Sequence, residues 1–262
     1  MAPLPGISEA SSVAISRRNP GILWTANDSG EPIIFAVDLQ GNVRTRIRVE
    51  GAGIQDWEDL AVGPCPSGTC LYIADIGDND QARKDITVYR IPEPALTDSS
   101  TASAEAFRAT YPDGAHDAEA LFVTSDQHLY LVTKMQRAVY RYPAPLDGRA
   151  SAVLERVASL DSAGRARTKK VPRGLRITGA SISRDGQWVA LRTNKEVVFY
   201  RTNDLVSGRA PAFRADLTGL REPQGEGIAL GENGVVYISG EGGSKARPGT
   251  LARLSCNFGG PF

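Results

Sequence analysis

The chain has 262 residues, with 30 Lys plus Arg against 30 Asp plus Glu, so its formal charge is zero, and 41% of it is apolar. Such a length makes one large domain or two small ones, and the apolar share suffices for a core, which excludes global disorder. A neutral chain lacks the basic surface that a general nucleic-acid binder or an anionic-membrane binder needs, and no apolar run reaches the ~20 residues of a membrane span.

Gly at 27 and Pro at 16, with only two Met, indicate many turns and little long helix. The chain opens Met1-Ala-Pro-Leu-Pro5 without a basic segment and an apolar run behind it, so no signal peptide is expected in these residues; an export signal would have been cut off ahead of them. Five segments then superpose: Glu9-Ala-Ser11-Ser-Val-Ala, Asp56-Trp-Glu58-Asp-Leu-Ala, Asp117-Ala-Glu119-Ala-Leu-Phe, Thr178-Gly-Ala180-Ser-Ile-Ser and Gln224-Gly-Glu226-Gly-Ile-Ala. Each is followed by a turn and a second apolar run: 21–25, 70–74, 128–132, 187–191 and 235–239. A third run alternates at 33–38, 86–91, 138–142, 196–200 and 250–254, and a weaker fourth covers 43–49, 104–110, 153–160 and 211–217. Period-two alternation rich in β-branched and aromatic residues predicts strands, and Asp28-Ser-Gly30, Gly41-Asn42, Pro112-Asp-Gly114, Asp185-Gly186 and Glu232-Asn-Gly234 predict the turns.

Four strands per unit, recurring five times at about 50 residues, predict an all-β, five-bladed β-propeller of mostly four-stranded antiparallel blades around a central channel. The whole chain, 1–262, forms one domain, with blades near 7–50, 54–111, 115–160, 175–218 and 223–256. The fifth unit lacks an obvious fourth strand, which residues 1–6 could supply to close the ring. A β-sandwich is the alternative, but sandwiches rarely repeat one strand signature in the same order.

The first strand of each blade should line the channel, so its opening residues converge at one mouth. One column is Glu9, Asp56, Asp117, Thr178 and Gln224; the next is Ser11, Glu58, Glu119, Ala180 and Glu226. Carboxylates so gathered repel one another unless a cation or donors intervene. Two readings follow: a hard cation such as Ca²⁺, which takes oxygen ligands, or carboxylates that accept backbone N–H bonds and tie blades together. The second strands return to the same mouth and end at Asp28, Asp75-Ile-Gly-Asp78-Asn79-Asp80, Lys134, Arg192 and Glu241. The candidate metal ligands are therefore Glu9, Asp56, Glu58, Asp75, Asp117, Glu119, Glu226 and Glu241. Lys134 and Arg192 are candidates to hold an anionic substrate group, and His116, beside Asp117, is a candidate ligand or general base. Residues 75–80 lack the EF-hand spacing, and Asp78 to Asp80 also read as an Asx-rich turn. Only His116 and His128 occur, without HxH or HExxH spacing, so a transition-metal site is disfavoured. No nucleophile elbow, phosphate loop or dinucleotide fingerprint is present. The basic run Arg165 to Arg173 falls between blades three and four and reads as a solvated loop.

Cys65 and Cys70 bracket Pro-Ser-Gly-Thr, a turn that brings them within disulfide reach and implies an oxidising compartment. Cys256 is left over, a small buried hydrophobe or the partner of a cysteine outside these residues.

The set Trp24-Thr-Ala-Asn-Asp-Ser-Gly30, Asp56-Trp-Glu-Asp-Leu-Ala61, Tyr72-Ile-Ala-Asp-Ile-Gly-Asp-Asn79, Tyr89-Arg-Ile-Pro-Glu-Pro94, Asp117-Ala-Glu-Ala-Leu121 and Gly225-Glu-Gly-Ile228 resembles a family of bacterial secreted or lipoprotein-type β-propellers. That family is loosely grouped with phytase-like and SMP-30-like propellers. The resemblance implies a propeller in a secreted or cell-envelope setting and, through the phytase-like link, calcium and phosphoesters. Phytase propellers have six blades and several basic phosphate-binding residues; this chain has five predicted blades with only Lys134 and Arg192 suitably placed.

The leading functional expectation is a metal-dependent hydrolase of phosphoester or ester type. Asp56, Glu58, Asp117, Glu119 and Glu226 would hold the cation, and water activated by it would be the nucleophile. The alternative is a non-catalytic binding module for a cell-envelope carbohydrate, peptide or protein. The expected partner is a small anionic molecule or an envelope glycan or peptide, met by a monomer.

Overall fold

A computed structural model describes residues 1–66, 68–160, 171–220, 222–244 and 246–256. Most of the basic run, 165–170, lies outside the described residues. The alternating segments are strands close to their predicted limits, except that the first inner strand, expected from Glu9, is confined to Ala14–Ile15 with one isolated bridge at Ala10. After β1 (Ala2–Leu4) come β2 (Ala14–Ile15), β3 (Ile22–Ala26), β4 (Ile33–Asp38) and β5 (Val43–Arg48), which form the first sheet in that order. The second sheet is β6 (Trp57–Cys65), β7 (Gly68–Asp75), β8 (Ile86–Pro92) and β9 (Glu105–Thr110). The third is β10 (Ala118–Val123), β11 (Leu129–Thr133), β12 (Ala138–Arg141) and β14 (Glu155–Ser159). Its connection, β13 (Ala152–Val153), leaves to pair in parallel with β9, adding a fifth strand to the neighbouring sheet. The fourth is β15 (Ile177–Ile182), β16 (Trp188–Thr193), β17 (Glu196–Arg201) and β18 (Phe213–Asp216), with a short helix, α1 (Thr202–Val206), before β18.

The fifth sheet is β19 (Gln224–Leu230), β20 (Val235–Glu241), β21 (Gly249–Ser255) and, as its outer strand, β1. Ala2 faces Leu251 and Leu4 faces Gly249, so the start of the chain supplies the strand the last unit lacks. Leu4 is fully buried, and it and Ile7 pack with Leu251, Tyr237, Leu23 and Phe35 in one apolar cluster joining the fifth blade to the first. Four further clusters occupy the other junctions between consecutive blades. The core of this five-bladed propeller is therefore a ring of blade-to-blade interfaces rather than one central mass.

Inner strands β2, β6, β10, β15 and β19 contact one another around the axis. Close approach there needs small residues: a Cβ on Gly227 would overlap the backbone of Ser12 and Val13 in the next blade. Cys65 and Cys70 form a disulfide at the tip of the β6–β7 hairpin, with Cα atoms 5.8 Å apart. Cys256 is a half-buried free thiol packed on the cluster between the fourth and fifth blades. Among the described residues no helix is long and apolar enough to cross a membrane.

Candidate functional site

Asp56, Glu58, Asp117, Glu119 and Glu226 lie where inner strands begin, while Asp75 and Glu241 end the second strands β7 and β20 and Glu9 precedes β2; the structure adds a device that aims the glutamates. Register slips at Glu58 in β6, Glu119 in β10, Thr178 in β15 and Glu226–Gly227 in β19. A bulge leaves a residue outside the ladder and re-aims its side chain. In three of these four blades a buried glutamate stands at the bulge. Thr178, rather than Ala180, is thus the structural counterpart of Glu58 and Glu119. The predicted alignment of the fourth blade is two residues out, a slip that preserves side-chain parity and so leaves no trace in the alternation.

Carboxylate oxygens of Glu58, Asp117 and Glu119 lie within 4.8 Å of one another, and all three residues are buried. Lys134 reaches them because β11 is antiparallel to β10. Thr133 faces Ala118, and the Lys134 N–H donates to the Asp117 carbonyl at 2.9 Å. The Lys134 ammonium contacts Glu119 Oε1 and lies 3.4 Å from Asp117 Oδ2 and 3.3 Å from Asn79 Oδ1. Asp117 Oδ1 also accepts the Asp78 N–H at 3.0 Å. A Cβ on Gly77 would overlap the carboxylates of both Asp56 and Glu58, so a larger residue where this loop crosses the mouth would displace them.

One ammonium does not neutralise this cluster, and burial with mutual repulsion pushes its carboxyls upward. Burial, then the charges of Glu119, Asp56 and Glu226, holds the Glu58 carboxyl well above its usual range. Burial pushes Glu119 up to about 7 despite the opposing charge of Lys134. Glu226 is raised well above its range by burial, then by Glu119 and Glu241. Burial, then Asp28 and Glu9, raises Glu241 to about 7; burial, then Glu9, raises Asp28 to about 6. Asp56 is raised by burial and by Asp117, against Lys134 and Arg83. Burial would lower the Lys134 ammonium, but Glu119 and Asp117 outweigh it and hold it above its ordinary value. A close set of hard oxygen donors with residual negative charge is the donor chemistry a Ca²⁺-like cation takes. Asp28 Oδ1 is a buried oxygen at this mouth without a protein partner among the described residues.

The other predicted residues divide. Glu9 accepts from Ser29 Oγ at 2.9 Å, on the rim with Asp28. Asp75 accepts the backbone N–H groups of Gln55 and Asp56 at 3.1 Å each and pairs with Arg83 Nη1 at 2.8 Å, so its oxygens serve the loop. Asp78 accepts from Ala82 N and Arg83 N, the Asx-type turn. Arg192 is completely buried. Its guanidinium donates to the Gly227 carbonyl at 2.7 Å, to the Ser239 carbonyl and to Glu222 at 2.5 Å, tying blades four and five, with no face open to a substrate. His116 is one residue from Asp117, in the segment that precedes β10. Its Nε2 lies 2.9 Å from Asp113 and 3.0 Å from the Tyr140 hydroxyl, away from the mouth. His128 bonds Asp126 in a surface turn.

Two carboxylates that the sequence reading did not single out tie the ring. Asp59 Oδ2 accepts the N–H of Leu121 at 2.8 Å and of Ala180 at 3.1 Å, spanning three blades across the channel. Buried Glu93 accepts from Ser16 Oγ, Trp24 Nε1 and the N–H groups of Arg17 and Arg18, joining blades one and two. The signal for Asp59 was an acidic residue inside an apolar inner strand. Glu93, flanked by prolines beyond a strand end, carried none.

No family model matches the chain, and no curated protein does. Solved structures do match over nearly its whole length. A glucose dehydrogenase is 13% identical with a TM-score of 0.56, covering 98% of this chain and 99% of that one. The PQQ-bound aldose sugar dehydrogenase of Streptomyces coelicolor is 14% identical at a TM-score of 0.53, covering 98% and 79%. A gluconolactonase of Xanthomonas campestris is 15% identical at 0.50, covering 92% and 71%. At such identities the likeness establishes the β-propeller fold.

Proposed function

We propose that the acidic mouth is a divalent-cation site, for calcium, and that the chain is a cation-dependent hydrolase of a small ester. The observation that carries this reading is the buried trio Glu58, Asp117 and Glu119, with oxygens within 4.8 Å and one ammonium among them. These three carboxylates would hold the ion; a bound cation supplies Lewis-acid polarisation of a carbonyl and a lowered water pKa. Lys134 orients Glu119 and Asp117 by direct contact. Glu241, half-buried at the rim with its carboxyl near 7, is suited to take a proton at neutral pH. A negative mouth whose buried guanidinium, Arg192, is committed to Glu222 favours a neutral ester or lactone over a phosphoester. A lactone-hydrolysing structural neighbour supports that substrate class by analogy of fold. The disulfide supports an extracytoplasmic setting.

A second reading rests on the Lys134 contacts. If this ammonium is the resident cation, the mouth is a binding surface for an envelope glycan or peptide. The experiment is a lactone and aryl-ester hydrolysis screen with calcium, with chelator, and with Glu119→Gln. Turnover that needs calcium and falls at least ~100-fold in the variant supports the hydrolase. Silence across the screen, with or without calcium, assigns the binding role.

A further inference from the structure

The end of the channel opposite the carboxylates has a different chemistry. There the inner strands finish, and Ile15, Val62, Ile182 and Leu230, with Leu39 from the β4–β5 turn, line a cavity of about 300 Å³. That is the lower end of the ~300–1,000 Å³ range of small-molecule sites. Asp59, bonded to Leu121 and Ala180, stands between this funnel and the acidic end, so the two mouths are separate. Leu39 is 38% exposed, one of only four large apolar side chains so open among the described residues.

Two guanidinium groups stand on the same rim, Arg17 from the first blade and Arg184 from the fourth. Burial, then the charge of Arg184, holds the Arg17 guanidinium below its ordinary value, so the two cations interact across the opening. The Arg17 guanidinium forms no ion pair among the described residues; nearby Glu93 is already bonded to Ser16, Trp24 and backbone N–H groups. Arg184 has only a 3.4 Å pair with Glu232, in which both side chains are 71% exposed, a contact of little strength. An apolar pocket whose lip carries one guanidinium without an ion pair among the described residues and a second held only by an exposed pair with Glu232 is complementary to a molecule with an apolar body and an anionic head.

We infer that this second mouth is a binding site for a small amphipathic organic carboxylate, its apolar body in the funnel and its carboxylate between Arg17 and Arg184. The site is independent of the acidic mouth and needs no metal.

The test is displacement of 8-anilinonaphthalene-1-sulfonate fluorescence by decanoate and by 1-decanol, in chelator, with sedimentation in parallel. Decanoate should displace the dye at one site, roughly tenfold better than decanol. Arg17→Gln with Arg184→Gln, both on the rim, should remove that preference while decanol displacement persists. Ala61→Phe, which fills the funnel, should abolish both. Equal displacement by acid and alcohol, an unchanged preference in the arginine variant, or no dye binding would overturn the inference. So would a concentration-dependent dimer that decanoate fails to dissociate, which would assign the funnel to a second copy of the chain.

Discussion

Asp59→Ala should weaken the fold more than removal of any exposed carboxylate. Its Oδ2 accepts the Leu121 and Ala180 N–H groups at 2.8 and 3.1 Å, and its Oδ1 accepts the adjacent Leu60 N–H at 2.9 Å. Asp59 is 1% exposed, so no bulk water can replace the lost acceptor. Two inter-blade N–H groups are orphaned at ~1–3 kcal/mol each. Relief of carboxylate burial, which holds this carboxyl well above its usual range despite the three donors, offsets part of that. A net loss of about 3 kcal/mol follows. At ~2–4 °C per kcal/mol for a chain of this size, the melting temperature should fall by roughly 6–12 °C. In Asp59→Asn the amide oxygen can take the Oδ2 place and keep both inter-blade bonds, while its NH₂ faces the Leu60 N–H, so about 1–2 kcal/mol is expected. Calorimetric melting of the two variants decides. An Ala variant within 2 °C of the parent, or an Asn variant less stable than the Ala one, would refute the inter-blade tie (threshold set at about the shift of 1 kcal/mol).

Glu93→Ala should cost about 3–5 kcal/mol in urea denaturation, because it strips four donors of one buried acceptor; a loss under ~1 kcal/mol would contradict that role. Glu119, 3% exposed and raised from 4.5 to about 7, holds its proton more tightly in the folded chain than in the unfolded one. Its contribution is therefore complete below 4.5 and is lost as pH rises through 7, an order of ~3 kcal/mol. Melting in chelator should drop between pH 5 and 7.5, and excess calcium should flatten that drop; a flat or rising curve in chelator would count against the buried acidic cluster. Reducing Cys65–Cys70 should cost about 2 kcal/mol, since the loop it closes is short, as melting with and without reductant will show.

Most of the architecture was readable from alternation and turn chemistry, because every strand lies on a pleat with one or both faces packed. The β1 closure was readable only as a gap in the fifth unit, since Ala2-Pro-Leu4 has too few residues to show a period. Superposing the repeats brings the mouth carboxylates into adjacent columns, and the pairing of β10 with β11 places Lys134 against Glu119 and Asp117, where the sequence had suggested a group for an anionic substrate. What periodicity could not reveal is the partner of a charged group. Arg192 ends a second strand as a ligand-binding residue would, yet a buried Glu222 meets it from a connection with no strand pattern. His116 is adjacent to Asp117 but lies ahead of β10, where no strand period fixes its direction, and only its Asp113 and Tyr140 contacts reveal where it turns. The bulges, which aim Glu58 and Glu119, shift the alternation by one residue, so that Trp57 and Leu60, like Ala118 and Leu121, stand three apart yet face one cluster.

The central claim is that Glu58, Asp117 and Glu119 hold a divalent cation, and calorimetric titration of chelator-stripped protein with calcium tests it most directly. Stoichiometric binding is expected, disappearing in Glu58→Gln with Glu119→Gln while the variant still melts cooperatively. No heat with calcium, and none with Mg²⁺ or Mn²⁺, would contradict it and leave the Lys134 ammonium as the cation these carboxylates contact.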